Sequence, residues 1–269
     1  MRSAILALTL VALAWPLIHG APQSATEAKV EVTRLLIARP TTLEPKKDAG
    51  HRGSSNPMFM EEGVAISLAV TVPGQTILQL DRERSSLKLT DDQGTTLKPG
   101  TEFDRRTIHF DPKVSDDQKL LQITVGSEQV PSQQARTIRL EGQLSILCGE
   151  GKETSPVLNL PLKKGQRVEA GPVKVNLAEV EDASEDNRKG KRVTLGLGQQ
   201  GHLIEKLEFL DQGGQPIKSS MEGRMTFNKD ESRFYFVETT TDALRLRVTY
   251  FTKSTTVTAP LQLAVSVGL

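Results

Sequence analysis

One stretch occurs twice in this chain, and it constrains the fold more than any other feature. Residues 87–98 read LKLTDDQGTTLK, and residues 207–218, 120 positions further on, read LEFLDQGGQPIK. Leu87, Asp91, Gly94 and Lys98 meet the same residue types at Leu207, Asp211, Gly214 and Lys218, while Leu89 meets Phe209 and Leu97 meets Ile217. Each copy predicts a strand with inward residues two apart, a turn, and a second short strand. Asp bonds its own backbone in such a turn, and Gly supplies the positive φ where the chain reverses. A repeat of this period points to two related units rather than to a solenoid of short repeats.

The rest of the chain reads as strands. In the first unit alternation predicts strands over 29–37, 64–72, 76–80, 106–110, 119–125 and 137–147, with Gly142 as a bulge or close approach. Residues 149–152 read as a turn, and 157–162 as a last strand that Pro161 confines to an edge. In the second unit strands are expected over 173–177, 193–197, 233–237, 244–250 and 261–267, with 179–191 as a charged loop. By offset, 233–237 matches 107–110, 244–250 matches 119–125, and 261–267 matches 140–146. No sustained helical period follows the N-terminal segment.

The fold class expected is therefore all-β: two tandem antiparallel Ig-like or fibronectin-like sandwiches. The boundaries expected are a signal peptide at 1–20, a polar leader at 21–28, a first sandwich at 29–163, a connector at 164–171 and a second sandwich at 172–269. The antibody-type signature is absent, since Cys148 is the one cysteine and Trp15 the one tryptophan. The layout resembles secreted bacterial proteins built from two such domains. The resemblance rests on the hairpins with Asp91–Gly94 and Asp211–Gly214, on Leu147-Cys148-Gly149, and on Gly165 through Gly171-Pro172-Val173. It implies the two-domain fold and no particular activity.

The N-terminus predicts export. Met1 and Arg2 precede an apolar run over 4–13, and Gly20 and Ala21 supply small residues before the chain turns polar. The run is too short for a membrane span. A secreted or periplasmic protein, without stable membrane insertion after cleavage, is the expectation. The charges balance at 34 basic against 33 acidic, which leaves no bias toward nucleic acid. With one cysteine no intrachain disulfide forms, and Cys148 after Ile146 and Leu147 reads as a small apolar strand residue.

The residues offer little for catalysis. His51, His109 and His202 lie far apart with no ligand spacing, and no HExxH, GxSxG or phosphate loop occurs. Ser85-x-x-Lys88 has strand context rather than the helix such a nucleophile needs. Asp182, Ser184 and Asp186 alternate like the start of a calcium loop, but Asn187 replaces the sixth-position Gly and Val193 the twelfth-position Glu. No cofactor is expected. The partner expected is a protein or other envelope component, and the function a non-catalytic one: binding, scaffolding or envelope organisation through loops and sheet faces. The long patternless loop 39–63 is the first candidate surface, with Lys46, Lys47, His51, Arg52, Met58 and Phe59 as contact residues. The alternatives are a strand-accepting periplasmic chaperone, if the edge of 137–147 is open, and a hydrolase with loop-borne carboxylates.

Overall fold

The computed structural model describes residues 27–38, 63–98, 108–185, 188–227 and 229–267, and these are strands and turns with a single short 3₁₀ turn at Gly201–Leu203. In chain order the strands are β1 (Lys29–Ala38), β2 (Gly63–Thr71), β3 (Thr76–Asp91), β4 (Thr96–Leu97), β5 (Ile108–Val114), β6 (Leu120–Ser127), β7 (Thr137–Thr154) and β8 (Leu158–Pro161). There follow β9 (Arg167–Ala170), β10 (Val173–Glu185), β11 (Arg188–Gly198), β12 (Ile204–Leu210), β13 (Ser219–Phe227), β14 (Asp230–Val237) and β15 (Ala243–Ser266). All pairings are antiparallel.

They form three sheets. The first has the order β1-β2-β6-β5, the second β12-β15-β7-β3-β4 with β8 beside β15, and the third β13-β14-β11-β10-β9. One core joins the first sheet to β3, β4, the first half of β7 and the second half of β15, through Ile66, Leu68, Leu89, Leu121, Leu140 and Leu261. The other joins the third sheet to β8, β12 and the first half of β15, through Val175, Leu195, Phe209, Leu246 and Val248. This is sandwich-like layering: alternate residues of facing sheets share a dry interior.

The second sheet serves both cores. β15 is 24 residues long and pairs with β7 from Thr249 opposite Thr154 to Ser266 opposite Thr137. Its buried residues are even-numbered over Leu244–Tyr250, both Tyr250 and Phe251 are buried at the change, and Ala259 and Leu261 beyond it are odd-numbered. The change falls near Thr252, across from Gly151, whose φ is +65°. Residues 257–265 thus lie against the first core, although in sequence order they belong to the second unit.

The repeated hairpins match in detail. Asp91 and Asp211 donate their N–H to Thr95 and Gln215 at 2.9 Å, and accept the N–H of those same residues on Oδ1 at 2.8 Å. Gly94 and Gly214 have φ of +86° and +82°. In the second copy Pro216 leaves a single bridge to Leu210 in place of β4.

Several expectations need correction. Residues 149–152 are not a turn but continue β7, because Gly151 takes positive φ inside the ladder. Of the charged stretch 179–191, residues 179–185 and 188–191 are not loop but strand: β10 and β11 pair there, with Asp182 opposite Lys191 and Glu181 opposite Arg192. Opposite charges across a ladder support strands as well as loops. Lys191 Nζ lies 2.8 Å from Asp182 and 2.9 Å from Asp242. The connector contains β9, an edge strand paired with β10. The expected strand 106–110 is β5 at Ile108–Val114. A strand not expected, β13, enters before 233–237 and shifts the correspondences by one. The order β10-β11-β14-β13 repeats β1-β2-β6-β5, so β14 takes the place of β6, and the start of β15 that of β7.

Candidate functional site

The loop residues Lys46, Lys47, His51, Arg52, Met58 and Phe59 lie outside the described residues. The other candidates are placed. Strand 137–147 is not an open edge, because β3 and β15 flank it on both sides. Cys148 is fully buried, and burial, with Glu150 nearby, pushes its thiol up to about 11, which suppresses the reactive thiolate. Ser85 and Lys88 lie within β3. His202 bonds the Gln199 carbonyl through Nδ1 at 2.9 Å. Among the described residues no three His, Cys, Asp or Glu side chains converge as metal ligands do.

The unusual chemistry sits on the third sheet. β14 alternates Glu231, Arg233, Tyr235 and Val237 toward the core with Asp230, Ser232 and Phe234 on the other face. Glu231 and Arg233 are a buried ion pair, with Arg233 Nε 2.6 Å from Glu231 Oε1. Arg224 of β13 takes the other carboxylate oxygen at 2.5 Å. Arg233 Nη2 donates to the carbonyls of Gly201 at 3.1 Å and Ile204 at 3.0 Å, and Arg224 Nη2 to Gln79 Oε1 at 3.3 Å. Both carboxylate oxygens thus meet a guanidinium, and both guanidinium groups find further acceptors, as a buried pair requires. The network ties β13 and β14 to the 3₁₀ turn and to β3. Beside it, burial pushes the Tyr235 hydroxyl up while Arg233 pulls it back, and the ring meets Phe209 edge-on at 5.3 Å.

On the opposite face Arg167, Asn176, Gly196, Ser232 and Met225 follow one another across five paired strands. Gly196 leaves that row open: a Cβ there would meet nothing nearer than Asn176 Nδ2 at 3.8 Å. The result is a groove of about 520 Å³, with Arg167 and Lys174 on one side and Asp230 and Ser232 on the other. Asn176 Oδ1 is buried beside it and meets no donor among the described residues.

The groove ends at Asp230 and Ser232 of β14, and the next strand, β13, sits at the sheet edge. Among the described residues β13 pairs with β14 alone. It carries Met221, Met225 and Phe227, exposed by 57%, 54% and 70%, the most exposed large apolar side chains described. Met225 and Phe227 lie opposite Ser232 and Asp230, hence on the groove's face. Edges are normally blunted by Lys, Pro or brevity. β13 is nine residues long and has neither Lys nor Pro. Sequence reading misses this strand because its apolar residues face solvent and Gly223 and the polar residues around it resemble a loop. No protein-family model, no curated protein and no solved structure matches this chain.

Proposed function

We propose that the protein is a non-catalytic interaction protein, exported from the cytoplasm, that holds an extended strand of its partner along β13. The single observation that carries this is a nine-residue edge strand that pairs on one side only among the described residues and bears the three most exposed apolar side chains described. Strand addition there would take affinity from main-chain hydrogen bonds and selectivity from the side chains beside the edge. The buried Glu231–Arg233 pair supports the reading, since through Arg224 it anchors the inner side of β13 and so keeps Met225 and Phe227 turned outward. This is a strand-accepting role, at β13 rather than at 137–147. We read the two halves as Ig-like sandwiches joined through a shared sheet, behind a signal peptide at 1–20. The matching strand orders support the first point and the apolar N-terminal run the second.

The test is comparative capture. Wild-type protein and Met225→Asp, both folded by circular dichroism, are used to draw partners from the native envelope. Loss of a specific partner with the variant is expected; identical capture by both rejects β13 as the binding edge.

A further inference from the structure

We infer that the occupant of the β13 edge is a second copy of this chain, added antiparallel about a two-fold axis at Met225. The inference rests on the reading of β13 as the binding edge. Two five-stranded sheets would then join into one of about ten strands, as a closed two-fold interface requires.

The contrast with β5 shows that the edge is offered rather than neglected. β5 and β13 occupy equivalent ends of the first and third sheets. β5 contains Asp111-Pro112-Lys113 and a register break between His109 and Lys113, each an obstacle to a further strand. The other edge of the third sheet, β9, has four residues, including Arg167 and Glu169. The edge β1 carries Lys29, Glu31 and Arg34. β13 has a bulge between Met221 and Gly223, but no Lys or Pro, and its two charged residues are already engaged within the chain, Glu222 by Arg192 and Arg224 by Glu231.

The strand past that bulge is self-complementary. Gly223, Met225 and Phe227 share the groove's face, because their partners Phe234, Ser232 and Asp230 alternate with the buried Arg233 and Glu231. In an antiparallel pair centred on Met225, the two methionines meet on the axis. Each Phe227 then falls opposite Gly223 of the second copy, and Arg224 opposite Thr226. A bare glycine and an aromatic ring fill each other's space. Gly223 has room for it, since an added Cβ would touch only Phe234 Cδ2, at 3.6 Å. The incoming ring would thus cover Gly223 and rest beside Phe234, which gives an exposed aromatic a place. Arg224 is the one charge within residues 223–227; it would face Thr226 of the second copy, and Glu231 Oε2 holds it on its own chain's side. A partner of a different sequence would need this same spacing of glycine and aromatic, which a second copy supplies without further assumption.

The experiment is sedimentation equilibrium of the purified chain, up to about 100 μM. A monomer–dimer equilibrium is expected, with a Kd on the order of 10 μM for so short an edge. Met225→Asp sets two carboxylates against each other on the axis and should weaken it at least about thirty-fold, with the circular dichroism spectrum unchanged. Met225→Cys should oxidise to a covalent dimer, because residues on the axis come within disulfide reach. Met221→Cys, beyond the bulge, should not, and buried Cys148 will not compete. A wild-type protein that stays monomeric throughout, or a dimer that Met225→Asp leaves intact, overturns the inference. A monomer whose envelope capture is still lost with Met225→Asp rejects the second copy and keeps β13 as the binding edge. Association and capture both unchanged by Met225→Asp remove both.

Discussion

β6 and β14 hold the same place in the two halves, and they differ where a core is least tolerant. Val70, Leu68 and Ile66 of β2 face Leu121, Ile123 and Val125, whereas on β11 Leu195 and Val193 face Arg233 and Tyr235, with Glu231 opposite Gly198 at a register break. The alternation of buried and open positions is the same along both strands. The first half therefore fills two core positions with aliphatic side chains, and the second fills them with an ion pair. A buried pair rarely exceeds a hydrophobic replacement in stability, and its attested use is to fix one arrangement. Here the arrangement fixed is that of β13. The carboxylate that pairs with Arg233 also holds Arg224, on the strand with the exposed apolar face. Stability and orientation are separated between the halves: the first is a plain core, the second a mount.

That comparison is most sharply broken at Glu231. Glu231→Leu leaves Arg233 buried without its partner and should cost about 4 kcal/mol in urea denaturation. Leu121→Ala in the equivalent position of the first half should cost about 3 kcal/mol through the cavity alone. The double change Glu231→Leu with Arg233→Ile copies the first half into the second. It should recover at least half of the single variant's loss, the remainder reflecting the Gly201 and Ile204 carbonyls that lose Arg233. If the double variant is as damaged as the single one, the two strands are not energetically equivalent.

The hairpin aspartates give a smaller effect of the same kind. Asp91 is buried, and its carboxylate accepts N–H groups from Gln93, Thr95 and Ser132 at 3.0, 2.8 and 2.9 Å. Asp211 is exposed and bonds Gln215. Asp91→Ala should cost about 3 kcal/mol and Asp211→Ala no more than about 1 kcal/mol. Burial alone would push the Asp91 carboxyl up, but the bonds from Ser132, Thr95 and Gln93 outweigh it and hold the group below its ordinary 3.8. A carboxyl depressed by folding contributes stability that is present above its unfolded value and is lost as pH falls toward the folded one. Denaturation from pH 6 to about pH 2 should therefore be less acid-sensitive in Asp91→Asn than in wild type.

The two hairpins were legible because their turn chemistry is local: an Asp that bonds its own backbone and a Gly with positive φ act within five residues. All-β architecture was legible for the same reason, since alternation is a local signal. What escaped depends on distant partners. Asp182 and Lys191 resemble a solvated loop until the ladder places them opposite each other. Glu231 and Arg233 carry no sign of burial, because their compensation comes from Arg224, Gly201 and Ile204. β13 inverts the usual rule by turning its apolar side chains to solvent, so its pattern has no interior to point toward. The sharing of β7 and β15 between cores is a matter of sheet pairing along two long strands, and nothing in a single strand announces it.

The edges themselves set the smallest change in folding stability and the clearest change in association. Phe227→Lys gives β13 the kind of blunting that Lys113 gives β5. Its side chain is 70% exposed, so the substitution should shift unfolding by no more than about 0.5 kcal/mol. The same protein should associate less, read by sedimentation, because a charge now stands where Gly223 of the second copy would lie. The reverse change, Pro112→Val with Lys113→Val, removes the two obstacles on β5 that β13 lacks and should create an association that wild type lacks, again with little effect on stability. A loss of 2 kcal/mol or more in Phe227→Lys would mean that the ring is packed within its own chain, and the contrast between a guarded and an open edge would fail at its open end.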